Sequence, residues 1–269
     1  MRLTLLGTGS SGGVPRVGGD WGDCDPAEPR NRRRRCSALV DVYDPAAPED
    51  MTRVLIDTSP DLREQLLDAR VEHLDALIYT HDHADQSHGI DDVRALALRQ
   101  RRQIPTFMDA ATRTTLAEKF SYCFAGKGDY PPILDLQPLV EVGTPVTMTG
   151  AGGAVSFLPL DQEHGRIRSL AFRIGPVAYC NDVSDLPEET LAQLEGLEVL
   201  IIDALRYRPH PTHAHVDKAL AWIERLAPKR AALTNLHVDL DYQTLKAALP
   251  DRVEPAYDGW SVSCTYLHV

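Results

Sequence analysis

Thr80-His81-Asp82-His83-Ala84-Asp85-Gln86-Ser87-His88-Gly89 follows the apolar run Asp75-Ala76-Leu77-Ile78-Tyr79, so a strand over 75–80 delivers its polar residues into a single turn. Two imidazoles separated by one residue, with a carboxylate two positions further on, converge nitrogen and oxygen donors on a small volume, as a divalent metal requires. Polar groups recur at other strand ends. They are Leu160-Asp161-Gln162-Glu163-His164, Tyr179-Cys180-Asn181-Asp182 and Leu233-Thr234-Asn235-Leu236-His237. A turn of merely solvated histidines leaves that recurrence unexplained.

Outward from this turn, a strand over 2–6 runs into the glycine-rich loop Gly7-Thr8-Gly9-Ser10-Ser11-Gly12-Gly13-Val14-Pro15, where small residues let backbone N–H groups approach a ligand. Further strands are predicted over 37–43, 53–57, 104–108, 155–160, 169–174, 177–180, 198–203, 230–234 and 260–267. Helices are predicted over 60–69, 89–101, 111–120, 187–195, 215–227 and 241–249. Strands followed by helices, a pattern that recurs after about residue 150, favour an α/β architecture of two sheets between helical layers. The stretch 143–154 is the most linker-like by composition yet short enough for a hairpin, so the chain is read as a single domain, 1–269, of two halves.

Composition narrows the function classes. With 269 residues, 43% hydrophobic and 25% charged, the chain buries a substantial core. Its 28 Lys+Arg against 39 Asp+Glu give a net charge of −11, which argues against extended contact with nucleic-acid phosphates. Gly7 and Gly9 interrupt the N-terminal apolar run before it could form a signal-peptide core, and no apolar run reaches membrane-spanning length. A cytoplasmic protein is expected, with no membrane partner. The five cysteines are scattered and contain no Cys-x-x-Cys, which fits a reducing compartment.

Taken in order, Gly7-Thr8-Gly9 with Gly13-Val14-Pro15, Leu55-Ile56-Asp57, the His81 motif with Gly89-Ile90-Asp91-Asp92-Val93-Arg94, His164, Asp182 with Ser184, His213, Leu233-Thr234 and Tyr257-Asp258-Gly259 resemble the metallo-β-lactamase fold superfamily. The resemblance is closest to the branch of the phosphoribosyl cyclic phosphodiesterases and the transfer-RNA 3′-processing endonucleases. It implies an αββα four-layer sandwich. It also implies a first metal held by His81, His83 and His164, a bridging Asp182, and Asp85 in a second site. Two family imidazoles are absent, because Gln86 and Asn235 stand in their places, and both belong to that second site.

Amide oxygens in place of imidazole nitrogens would make the second site harder and poor for zinc. One firmly held divalent cation, Zn or Mn, is therefore expected, with a second weak or absent. His237 or His88 would serve as a substitute ligand only with a shifted backbone. Asp57 and Asp92 are candidates to hydrogen-bond and orient the ligands. The family's structural zinc near the N-terminus has lost its cysteine cluster, with Cys24 alone there and Val238 at the late histidine position, so none is expected.

His213 lies 22 residues before Asn235, the separation that the resemblance gives a non-ligand catalytic histidine, so it would protonate the leaving oxygen; otherwise it is a loop residue beside Pro209 and Pro211. His210 and His215 look like surface or supporting residues. Arg30-Asn31-Arg32-Arg33-Arg34-Arg35 either gathers an anionic substrate at the cleft rim, through Arg34 above all, or forms a solvated loop paired with acidic groups. The reading that unites these residues is a metal-dependent phosphodiesterase for a small cyclic-phosphate or nucleotide-like substrate. In it Asp85 handles a proton and the amides of Gly9, Ser10, Ser11, Gly12 and Gly13 bind phosphate. A nuclease, thioesterase or lactonase of the same fold, or a phosphate-binding module without turnover, would carry the same motifs. A homodimer is compatible with the sequence.

Overall fold

The computed structural model describes residues 1–44 and 46–266. The first sheet contains β1 (Arg2–Gly7), β2 (Ser37–Asp44), β3 (Ala47–Ile56), β4 (Ala76–Ile78), β5 (Ile104–Phe107) and β6 (Leu134–Leu136), and takes its edge strand β14 (Ser261–Ser263) from the end of the chain. The second holds β7 (Val146–Gly150), β8 (Gly153–His164), β9 (Ile167–Ile174), β10 (Val177–Cys180), β11 (Val199–Asp203), β12 (Arg230–Thr234) and β13 (Val253–Pro255). Strand order is β14-β1-β2-β3-β4-β5-β6 in one and β13-β12-β11-β10-β9-β8-β7 in the other. Each sheet is antiparallel at first and then parallel, from β3 to β6 and from β10 to β13.

The central parallel strands β4 and β11 carry apolar runs, as strands covered on both faces require. Ala76, Leu77 and Ile78 of β4 and Val199 to Ile202 of β11 are all buried. One core joins the sheets, with Leu3, Leu5, Val40 and Ile56 facing Phe157, Phe172, Tyr179 and Ile201. Two outer cores seat the helices. α1 (Leu62–Asp68), α2 (Ala84–Ser87), α3 (Arg94–Gln100), α4 (Ala110–Lys119) and α5 (Ser121–Ala125) belong to the first half; α6 (Glu188–Gln193), α7 (Val216–Leu226) and α8 (Tyr242–Ala248) belong to the second. α7 buries Val216, Ala219, Trp222, Ile223 and Leu226, one stripe of an amphipathic helix. The result is the expected four-layer αββα sandwich. No helix among the described residues is long and apolar enough to cross a membrane.

Several boundaries differ from the sequence reading. The stretch 143–154 forms the hairpin its length allows, with β7 paired to β8, but β8 runs on through His164, past the expected end at 160. The expected helix over 89–101 splits into a 3-10 turn, Ile90–Val93, followed by α3. The expected strand 260–267 shortens to β14, and position 267 lies outside the described residues. β6, β7 and β13 and the short helices α2 and α5 have no counterpart in the sequence reading.

Candidate metal centre

Parallel sheets direct their functional loops to the carboxyl ends of their strands. Here Asp57 follows β3, Thr80-His81 follows β4, His164 ends β8, Asp182 follows β10, Asp203 ends β11 and Asn235 follows β12. Asp57, Asp182 and Asn235 all have left-handed backbone, at φ 62°, 52° and 60°. Asp and Asn tolerate that region better than other residues with a Cβ, and such strain gathers where a chain must turn sharply to aim a side chain.

His81, His83 and His164 come together with ring centroids 4.6 to 5.1 Å apart. The Thr80 hydroxyl donates to Asp57 Oδ2 (2.8 Å), and the Thr80 amide donates to Asp57 Oδ1 (2.8 Å). With its proton given to Asp57, that hydroxyl accepts from Nδ1–H of His81 (2.9 Å), which leaves a lone pair on His81 Nε2. His81 Nε2 is buried with no partner. Leaving such an atom unsatisfied costs about 1–3 kcal/mol, so a ligand at this point is strongly favoured.

His164 Nδ1 donates to the Thr212 carbonyl (2.6 Å), and its Nε2 therefore also turns a lone pair inward, 3.2 Å from His83 Nδ1. Burial lowers the His81 pKa, reinforced by its imidazole neighbours, and burial together with His213 lowers His164 to about 4. Both rings are neutral at pH 7, the form that binds metal. Three imidazole nitrogens with Asp182 Oδ2 3.7 Å from His81 Nε2 match the donor set of a divalent transition metal.

Asp182 is buried, and burial raises its pKa, a trend that the charge of His213 opposes. Its Oδ2 accepts from Gln86 Nε2 (2.8 Å) and Asn181 Nδ2 (3.2 Å), and its Oδ1 accepts from Asn235 Nδ2 (2.8 Å). His213 Nδ1 is 3.4 Å from Asp182 Oδ1 and donates to Asp203 Oδ2 (2.8 Å). Burial works against a charged His213, but Asp203, Asp182 and Asp85 outweigh it and lift its pKa to about 9. An imidazolium that can give up a proton thus stands beside the neutral rings of His81 and His164. Asp203 was not among the residues singled out from the sequence; its only signal is a lone carboxylate closing the apolar run Val-Leu-Ile-Ile.

The other expected site residues are placed as follows. Asp57 stands behind His81 and orients it through Thr80. Asp85 opens α2, half-buried, with its Oδ2 3.2 Å from Gln86 Nε2, and is absent from both groups of converging ligand atoms found among the described residues. Asp92 does not orient a ligand: it is exposed beside Arg63, and Asp91 pairs with Arg94 (2.6 Å). His237 is no substitute ligand, because Asp239 holds its Nδ1 and Arg16 its Nε2. His88 is exposed and packs edge-on to Phe120.

In the glycine loop, the amides of Gly9, Ser10 and Gly13 donate to Arg34, Leu236 and Ser10 carbonyls, so they are not open to a phosphate as expected. Ser11 and Gly12 remain exposed there. Of the two roles expected for the arginine run, Arg34 and Arg35 take the second, pairing with acidic groups. Arg34 pairs with Asp258 and Asp68 and lines a separate cavity of about 360 Å³ with Arg2, Thr4 and Gln65, while Arg35 pairs with Asp61. Arg33 is buried and donates to the Leu240 carbonyl (2.8 Å) close to Cys24, the region of the missing zinc cysteines. Arg206 lies near His210 and His237, and Arg16 near His237; burial first, and these charges after it, lower both imidazoles.

The sequence model of the β-lactamase superfamily domain matches residues 52–235. An octanoyltransferase from Porphyromonas gingivalis (strain ATCC BAA-308 / W83) is 33% identical over 264 residues, covering 96% of this chain and 51% of the relative, so the chain spans about half the length of the curated relative it matches. Among solved structures, a diphosphatase from the PhnP family is 33% identical with a TM-score of 0.86, covering 98% of both chains. Zinc-bound PqqB from Methylobacterium extorquens has 15% identity and a TM-score of 0.72, covering 98% of this chain and 100% of its own. The short form of human tRNase Z has 14% identity and a TM-score of 0.63, covering 99% and 100%. These last two share the fold.

Proposed function

This chain belongs to the β-lactamase superfamily, and from that premise we propose that it is a metal-dependent hydrolase of a small phosphodiester. The observation that carries this reading is the convergence of three imidazoles on one point, with a protonated imidazole at its edge. His81 Nε2, His83 Nδ1 and His164 Nε2 would hold the cation, Zn or Mn. A cation so held supplies positive charge that acidifies a water towards a pKa of about 7 and polarises a phosphoryl oxygen.

The chain's own groups do the rest. Thr80 and Asp57 fix the His81 ring, and the Thr212 carbonyl fixes His164, so the donor atoms are aimed before a ligand arrives. Asp182 offers an acceptor for a proton at its carboxylate. His213, held by Asp203 through Nδ1, keeps Nε2–H to give to a departing alkoxide, the step that most separates a phosphodiester from a thioester, whose thiolate leaves unaided. The likeness to a diphosphatase at 33% identity over 98% of both chains supports the phosphoryl reading over lactone or thioester cleavage.

The test is hydrolysis of bis(p-nitrophenyl) phosphate after chelation and after return of Zn or Mn, beside a thioester control. Metal-restored diester cleavage that exceeds thioester cleavage is the expected result. Thioester turnover alone would reassign the site to acyl chemistry.

A further inference from the structure

The resemblance places a second cation between Asp85, Asp182 and the positions of Gln86 and Asn235. The donors there do not fit one. Both amides turn nitrogen, not oxygen, towards the buried carboxylate, with Gln86 Nε2 2.8 Å from Asp182 Oδ2 and Asn235 Nδ2 2.8 Å from Asp182 Oδ1. This orientation gives Asp182 two donors, and it leaves Gln86 Oε1 buried without a partner and Asn235 Nδ2 3.1 Å from His213 Nδ1. Turned over, Gln86 would set its oxygen between two carboxylates, since its nitrogen is also 3.2 Å from Asp85 Oδ2, and Asn235 would oppose oxygen to oxygen. Gln86, Asn235, Asn181 and Asp182 are all buried, so water cannot relieve such a clash.

An amide nitrogen has no lone pair to give a metal; it offers N–H. We propose that Gln86 and Asn235 take the place of the second cation: their N–H groups satisfy both carboxylate oxygens of Asp182, so the centre is built for one metal ion. The proposal rests on the reading of His81, His83 and His164 as the first metal site. The other group of converging atoms, His164, Asp182 and His213, shares His164 with the first site and is not an independent second one.

The test loads the metal-stripped protein with Mn(II), counts bound ions after dialysis and records the electron paramagnetic resonance spectrum. Wild type should saturate at about one equivalent with an uncoupled six-line signal. The double variant Gln86→His with Asn235→His should approach about two, with the spectral broadening of a coupled pair, since imidazole restores the lone pairs. Two ions and a coupled spectrum in wild type would overturn the proposal while leaving the first site intact. No bound ion in wild type, with no difference from His81→Ala, would overturn the metal reading itself. Should the double variant fail to fold, the wild-type count and spectrum still decide the matter.

Discussion

Asp203 and His213 form the pair on which the chemistry beyond the metal turns. His213→Ala should keep the bound metal and lower kcat on an alkyl phosphodiester by roughly 10²-fold, the usual loss when a general acid is removed; metal content and kcat measured on one preparation check this. Because His213 is held near 9, the proton it donates is present below that pH and lost as pH rises through about 9. Asp203→Asn removes the charge that holds it there, so the basic limb of kcat/KM should move to lower pH by about one unit or more. An unchanged limb would mean that another group sets it. At this scale a histidine pair and strand-end polar residues stand out against apolar runs, and the family resemblance is what groups His81, His83, His164 and Asp182 as one set. Sequence reasoning passed over Asp203, which reads as the polar end of a strand, and it expected amide oxygens at Gln86 and Asn235, because which way an amide turns depends on a partner far along the chain.

Helix α8 illustrates how the elements around the centre are pinned. Its N-cap Asp241 accepts from the Thr244 amide (2.9 Å) and from Asn31 Nδ2 (2.6 Å), tying the helix to the loop that carries Arg33. Asp241→Ala should destabilise the protein by about 1–2 kcal/mol, measured by denaturant unfolding. Some burial raises this carboxylate, but the hydrogen bonds from Thr244, Asn31 and Asp25 prevail and lower its pKa to about 2. Its share of stability is therefore full above about 4 and lost as pH falls towards about 2, so the gap between wild type and variant should close in acid. The amphipathic stripe of α7 and the apolar run of β11 are legible in sequence. β6 and β13 are not, because each has only three residues and depends on a neighbouring strand for its hydrogen bonds. β7 hides in a stretch of Gly, Thr and Pro, and is a strand because β8 pairs with it along its length.

Across the whole molecule, the two sheets meet through one continuous apolar core, and the candidate centre lies at the carboxyl ends of their strands. The core does not depend on a cation. Chelation should leave the protein folded at 25 °C while lowering Tm, because a ligand present at a thousand times its Kd adds about 4 kcal/mol. His81→Ala should abolish that metal-dependent shift. The layered fold was legible from the alternation of strands and helices and from the motif order. The fate of the arginine run was not, since Arg34 and Arg35 are drawn off by Asp258 and Asp61, residues whose proximity only the folded chain creates.

The most direct measurement is an anomalous-difference map, collected at the metal edge from crystals of the Zn- or Mn-loaded protein. The account predicts one peak, with His81 Nε2, His83 Nδ1 and His164 Nε2 at about 2.0 to 2.2 Å when zinc is bound. A principal peak held by Asp182 and His213 instead, or no peak among the three imidazoles, would contradict it.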